Sequence, residues 1–286
     1  MSDELIIEHM PELSQPVLIL GFEGWSNGGN VAVGMVDYLI QTLGATRFAS
    51  INLKDFCRLD DVRPTVRIQG GQLKEVSLPK ASFYAVPRKE TEVDLILFKA
   101  NEPHLRWDAF VETVLSLCKQ LGVGLIISLG GLQDNVIHTD AIISGLASSP
   151  ELLERLEQNE VIPIDYEGPG AIHSLILQQA KAMGIQGISL WGHCPFYVQG
   201  THLRLLCRMA MVLADLAGFD LDTTELEKGW MQLARQIQRF IDDNPELQKV
   251  IKELNRSRAA SEPSAPVQRG GNVIYLDDFL GPKSQI

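Results

Sequence analysis

Short apolar runs alternate with longer segments in which apolar residues recur at helical spacing. The runs predict buried strands at residues 17–22, 94–100, 123–129 and 185–191. Weaker patterns predict further strands at 48–53 and 82–86, and a hairpin formed by 66–69 and 73–78. Helical spacing predicts helices at 30–43, 107–121, 150–159, 169–183 and 202–216. This alternation predicts the α/β class: a mostly parallel sheet covered by helices on both faces.

Beyond Gly218 the pattern changes. Apolar and charged residues at helical spacing predict two helices, at 223–243 and 245–258, joined as a helical hairpin against the core. Residues 259–272 are small, polar and rich in Pro and Gly, which indicates a flexible linker. We therefore divide the chain into an α/β core at 1–218, a helical appendage at 219–258, and a linker with a short C-terminal segment at 259–286.

Composition and charge narrow the functional classes. The chain has 286 residues, of which 45% are hydrophobic and 21% charged, as in ordinary globular proteins. A net charge of −11 without a basic patch argues against nucleic-acid binding. The four cysteines form no C-x-x-C pair, so we expect free thiols, no metal and a reducing cytoplasm. We find no leader sequence or membrane-spanning run and expect neither a membrane partner nor a cofactor.

The segment PVLILGFEGWSNGGN at residues 16–30 predicts a strand, a turn and the start of a helix. Ser26 or Asn27 can cap that helix through a side-chain oxygen. The turn also carries Glu23 and Trp25. In open α/β sheets, loops at the carboxyl ends of strands are where ligands and partners usually bind, so we take this turn as the centre of a candidate site.

Other polar residues also follow predicted strands. The full candidate set is Glu23, Trp25, Asn27, Asn101, Glu102, Asp134, His138, Glu167 and His193, with Tyr166 beside Glu167. In a doubly wound sheet these residues would converge on one edge and could perform acid–base chemistry or bind a small polar ligand.

A structural role is the alternative for the same residues. The two glutamates at 23 and 102 can cap helices, the histidines can be structural, and the tryptophans can anchor a core or an interface. The sequence offers no phosphate-binding loop, no metal-ligand spacing and no nucleophile with an obvious base.

Six segments, in order, resemble the proteasome assembly chaperone 2 family in its bacterial form. They are GFEGWSNGGNVA (21–32), RPTVRIQGG (63–71), NEPHLRWDAF (101–110), SLGGL (128–132), DYEGPGAIHSLI (165–176) and SLWGHCPFYV (189–198). The resemblance spans about residues 5–250. It implies a phosphorylase/hydrolase-like α/β fold, a non-enzymatic role in protein binding or assembly, and a homo-oligomer, with a trimer favoured. Large apolar residues near turns, Trp25, Trp107, Phe196 and Tyr197, suit a subunit interface.

The C-terminus departs from this family's pattern. Proteasome-binding relatives end in a hydrophobic residue, a tyrosine and any third residue, and the terminal carboxylate docks on the ring. The comparable tripeptide here, Ile274-Tyr275-Leu276, is followed by residues 277–286. We therefore expect no docking of that kind, because the contact needs the terminus itself. Residues 273–280 either add as a strand to the same oligomer or to a partner, or form an unbound tail.

Two functions therefore compete. The first is a non-enzymatic binding or assembly protein, favoured by the missing nucleophile, metal set and cofactor loop. The second is an enzyme or small-ligand-binding protein that uses the acidic and histidine cluster. Convergence of Glu23, Glu102 and His138 in an enclosed pocket would favour the second, and an open pocket would favour the first.

Overall fold

The computed structural model describes residues 4–86, 93–259 and 274–275. Its strands are β1 (Leu5–Ile7), β2 (Val17–Glu23), β3 (Thr46–Asn52), β4 (Thr65–Gln69), β5 (Gln72–Ser77), β6 (Lys80–Val86), β7 (Leu95–Asn101), β8 (Leu125–Asp134), β9 (Ile143–Ala147), β10 (Ile162–Pro163), β11 (Gln186–Pro195), β12 (Val198–Gln199) and β13 (Ile274–Tyr275). Its helices are α1 (Val31–Thr42), α2 (Trp107–Gln120), α3 (Pro150–Gln158), α4 (Ile172–Ala182), α5 (Leu203–Ala217), α6 (Thr224–Asp242) and α7 (Pro245–Ala259).

Within the described residues, nine strands form one sheet in the order β1-β3-β6-β7-β2-β8-β11-β9-β10. The central strands β7, β2, β8 and β11 run parallel to one another. Antiparallel pairs flank this centre, through β6 on one side and β9 on the other. The predicted α/β class is confirmed, and the carboxyl ends of the central strands lie at a common edge.

Helices cover both faces of the sheet, and β2 sends apolar side chains alternately to the two faces. Val17 and Ile19 join one apolar cluster with residues of α1, α5 and α6, whereas Leu18 and Leu20 join a second cluster with α2 and α4. Successive side chains of a strand point to opposite faces, so a continuous apolar run is needed where both faces are buried. This explains why the central strands were recognisable from sequence.

The two helices predicted after Gly218 are present as α6 and α7, with the turn at Asp243 and Asn244. Leu233 and Ile237 of α6 are buried in the same cluster as α5. The boundary that we place at residue 218 stays a prediction.

All four cysteines are free and buried. Burial raises the pKa of Cys118 and of Cys194 to about 12. Within the described segments, no cluster of His, Cys, Asp and Glu side chains is arranged to hold a metal ion. None of the helices in those segments combines the length and hydrophobicity needed to span a bilayer.

Candidate functional site

The turn between β2 and α1 is organised by one amide side chain. Asn27 Oδ1 accepts hydrogen bonds from the backbone N–H groups of Ala32 at 3.0 Å and Val33 at 3.2 Å. Asn27 Nδ2 donates to Glu23 Oε2 at 2.8 Å and to Asn30 Oδ1 at 3.2 Å. The predicted capping role of Asn27 is therefore confirmed. Its amide satisfies orphan N–H groups of the helix and fixes the Glu23 carboxylate at the same time.

Two glycines hold this turn against the end of β8. Gly131 N–H donates to the carbonyl of Ser26 at 2.7 Å, and Asn27 forms an isolated parallel bridge with Gly131. A Cβ on Gly131 would lie 2.1 Å from the carbonyl oxygen of Gly28. No side chain fits this approach of two backbones. This one contact thus explains Gly28 of the 21–32 segment and Gly131 of the 128–132 segment.

Glu23 and Asn101 are register partners at the carboxyl ends of β2 and β7. The next residue, Glu102, accepts the N–H of Ile172 through Oε1 at 3.0 Å, at the first residue of α4. The helix-capping alternative for Glu102 is confirmed, and a carboxylate is favoured there by the helix dipole.

An open cleft of about 770 Å³ lies beside these residues. It is lined by Glu23, Trp25, Asn101, Glu102 and Trp107 together with Arg58, Asp61, Arg63 and His104. Trp25 leaves 69% of its surface exposed. The cleft therefore offers an accessible aromatic ring among charges of both signs, whereas its two glutamates are engaged in hydrogen bonds of the fold.

Asp134 and His193 meet at the carboxyl ends of β8 and β11. His193 Nδ1 lies 2.8 Å from Asp134 Oδ2, and His193 Nε2 lies 2.8 Å from the hydroxyl of Ser144. The hydrogen bond from His193 lowers the pKa of Asp134, against a smaller opposing effect of burial. The three side chains form an Asp–His–Ser chain of the kind used in nucleophilic catalysis. Ser144 is only 6% exposed.

His138 lies apart from the cleft. Its backbone N–H donates to Tyr197 Oη at 2.9 Å, and its Nδ1 lies 3.0 Å from the same oxygen. Burial lowers the pKa of His138. Tyr197 is itself 2% exposed, so the expectation that Tyr197 serves a subunit interface is wrong. The phenol is buried inside its own chain, where its oxygen accepts a hydrogen bond from the backbone N–H of His138.

Sequence reasoning missed two hydroxyl groups near histidines. Ser26 Oγ, fully buried, lies 3.4 Å from Nε2 of the buried His173, and burial lowers the pKa of His173 to about 4. Residues 24–28 read Gly-Trp-Ser-Asn-Gly, which fits the G-x-S-x-G pattern and was an available signal. Ser144 lies on β9, a strand that the sequence analysis did not predict.

The remaining candidates lie elsewhere. Tyr166 and Glu167 are exposed on the loop between β10 and α4. In the C-terminal segment, Ile274 and Tyr275 pair in parallel with Val198 and Gln199, and Leu276 lies outside the described residues. The structure thus joins Glu23 with Asn27, Asn101 and Glu102, joins Asp134 with His193, and leaves His138 and Glu167 apart from both groups.

Comparison with known proteins identifies the family. A model described as the PAC2 family matches residues 21–241. The chain belongs to the PAC2 family. The resemblance seen in the sequence motifs is therefore confirmed. Among proteins with curated descriptions, none matches this PAC2-family chain.

Solved structures of other proteins share the fold. A proteasome-assembly chaperone homologue from Mycobacterium tuberculosis is 23% identical with a TM-score of 0.74, over 82% of this chain and 99% of that one. A PAC2 family protein from Streptomyces avermitilis is 26% identical with a TM-score of 0.73, over 82% and 99%. The Pyrococcus furiosus archaeal proteasome activator PbaB is 22% identical with a TM-score of 0.65, over 83% and 98%.

Proposed function

We propose that this PAC2-family chain is a non-enzymatic, assembly-chaperone-like protein that binds a protein partner. We further propose that it works in the cytoplasm as a homo-oligomer, most simply a trimer. The similar structures described as a proteasome-assembly chaperone homologue and a proteasome activator support a role in protein association.

The observation that carries the proposal is the open cleft around Trp25. An exposed tryptophan beside two arginines has the composition of a protein-binding hot spot. Catalysis at this place would need free acid and base groups, yet Glu102 caps α4, Glu23 accepts a hydrogen bond from Asn27, and His138 lies elsewhere. The cleft also contains His104, whose Nδ1 accepts the backbone N–H of Arg58 at 3.3 Å, and Asp61, which pairs with Arg58 at 3.1 Å. An open surface whose carboxylates support the fold fits binding better than turnover.

Quantitative affinity capture tests the proposal. We compare proteins retained from cell extract by the wild type, by Trp25→Ala and by Met211→Ala, a control at a residue that is 54% exposed on α5. A partner that binds the wild type and the control, and binds Trp25→Ala about tenfold more weakly in purified form, supports the proposal. Equal binding by all three proteins contradicts the placement of the surface at Trp25.

A turnover screen tests the same proposal from the opposite direction. We expect no hydrolysis or phosphorolysis of phosphate esters, nucleosides or peptides by the purified protein. Turnover that disappears in Glu23→Gln or His138→Ala would overturn the binding function. A thermal-shift screen of small ligands belongs beside it, because a ligand that binds the native state raises the apparent stability.

We propose further that Ile274-Tyr275-Leu276 does not dock on a proteasome ring in the manner of a free terminal tripeptide. The sequence continues for ten residues after Leu276, so Tyr275 has no neighbouring terminal carboxylate. A chain ended at Leu276 supplies the missing carboxylate and is the matched comparison. If the full chain bound a proteasome ring as tightly as the shortened chain, this proposal would be contradicted.

The Asp134–His193–Ser144 chain of hydrogen bonds is a specific observation in favour of the second candidate, an enzyme of the acyl-transfer class. Hydrolysis of activated esters, lost in both Ser144→Ala and His193→Gln, would support that candidate. The low exposure of Ser144 is the reason why we rank it second.

A further inference from the structure

A two-stranded sheet stands apart from the core. We call β4, β5 and the turn between them, residues 65–77, the hairpin arm. Its strands pair with each other and form a sheet separate from the nine-stranded one. Every residue of β4 and all but the last of β5 is exposed. An isolated two-stranded hairpin is marginally stable in water, so this arm lacks the support that the strands of the nine-stranded sheet give one another.

The hairpin arm carries its apolar side chains on one face. Val66 lies opposite Val76 and Ile68 opposite Leu73, and these four residues are 52–63% exposed. A register shift between Arg67 and Ile68 leaves Lys74 as an extra residue on β5. Such a bulge reverses the alternation of the strand beyond it. Here it brings Leu73 to the face of Val76, so the arm presents an unbroken apolar surface.

The charge of the arm is opposite to that of the remaining chain. The hairpin arm contains two cations, Arg67 and Lys74, and one carboxylate, Glu75, a net charge of +1. Two further cations, Arg63 and Lys80, flank the arm, so that residues 63–80 together carry +3. The whole chain carries −11, which leaves −14 on the other residues. A basic arm with an apolar face therefore complements the acidic surface of another copy of the same chain.

The far end of the sheet offers a matching surface. The arm connects β3 and β6, which lie near one end of the sheet, whereas β10 is the outermost strand at the other end. Ile162 on β10 is 53% exposed and Tyr166 just after it is 64% exposed. The exposed carboxylates Asp165 and Glu167 flank Tyr166. An exposed edge strand with apolar neighbours is a place where another chain can associate.

We propose that the hairpin arm of one copy packs its apolar face on the β10 end of a second copy. The two surfaces differ, so the contact is head-to-tail, and a rotation between copies that closes on itself makes the homo-oligomer a ring. This inference rests on the homo-oligomer of the proposed function and assigns its interface. It also gives Glu167 a role at the edge of the sheet rather than in the Trp25 cleft.

The test measures molar mass across a concentration series by light scattering and sedimentation. Ile68→Ser with Leu73→Ser removes apolar surface from the arm, and Met211→Ser with Met231→Ser removes comparable exposed surface from α5 and α6. We expect the arm variant to dissociate about a hundredfold more readily than the wild type, and the control to behave as the wild type. Far-UV circular dichroism verifies that both variants keep the fold.

Charge reversal tests the receiving surface. Lys74→Glu on the arm with Lys80→Glu just after it, and Asp165→Lys with Glu167→Lys beside β10, should each weaken association, and the combination should restore it. Failure of the combined variant to recover would overturn the β10 assignment. A wild type that stays monomeric at tens of micromolar overturns both the arm interface and the homo-oligomer. An oligomeric wild type with an equally oligomeric arm variant overturns the arm interface alone.

Discussion

A methyl group at Gly131 should destabilise the protein strongly. Its carbon would lie 2.1 Å from the carbonyl oxygen of Gly28 and 3.0 Å from the carbonyl carbon. Both obstructing atoms belong to the backbone, so relief requires the β2–α1 turn to move away from β8. Overpacking of this kind costs about 1–3 kcal/mol. The displacement also weakens the 2.7 Å hydrogen bond from Gly131 to Ser26, which contributes about 1 kcal/mol.

We therefore expect Gly131→Ala to lower the free energy of unfolding by about 3 kcal/mol, and Tm by roughly 5–10 °C. The assay is urea unfolding followed by circular dichroism, with a thermal scan of the same samples. Gly124→Ala is the matched control, because a Cβ there meets no atom within 4 Å and the change adds the same methyl group. If Gly131→Ala loses no more stability than Gly124→Ala, the proposed backbone contact does not exist in solution.

Three other changes test separate parts of the structure. Asn27→Ala removes the cap of α1 and should cost about 1 kcal/mol in urea unfolding. In a Glu23→Gln background, where no second carboxylate lies beside residue 27, Asn27→Asp keeps the acceptor and should cost less than Asn27→Ala; equal losses in that background would contradict the capping role. His173 and His202 have pKa values lowered to about 4 by burial, below the unfolded value near 6.5, so the unfolded state binds their protons first. Stability should therefore decrease as the pH falls from 6.5 towards 4, by about 1.4 kcal/mol per pH unit for each histidine, and His173→Gln should show a shallower slope. Deletion of residues 259–286 should leave the core folded. It should also leave the number of subunits per oligomer, obtained from the molar mass in light scattering, unchanged. An unfolded product would show that the deleted segment is part of the core.

The central strands were predictable because burial on both faces requires continuous apolar runs, as in β2 and β7. The flanking strands carry weaker signals. β9, with the sequence ISGLA, contains a glycine and a serine and was missed. β8 and β11 continue through glycines and polar residues to Asp134 and Pro195, well past their apolar runs. Pairing between parallel neighbours supports these extensions, and such pairing cannot be seen in either segment alone.

The candidate site was predictable only in part for the same reason. Strand order and register place Glu23 beside Asn101, as expected for adjacent parallel strands. Which hydrogen bonds the side chains make depends on partners distant in sequence. Glu102 bonds to α4, 70 residues away, and His193 bonds to Ser144 on the strand that was missed. A list of polar strand ends cannot separate carboxylates that support the fold from those that are available to a ligand.

The four buried thiols give this protein internal reporters of local opening. Cys194 lies beneath the β2–α1 turn, with its sulfur 2.5 Å from where a Cβ on Gly29 would be, whereas Cys118 lies in α2 on the opposite face of the sheet. Only the thiolate reacts with alkylating reagents, and burial suppresses it at both positions. The rate at which each thiol is alkylated therefore measures how often its own layer opens to solvent. A partner that clamps the Trp25 loop would slow labelling of Cys194 and leave that of Cys118 unchanged.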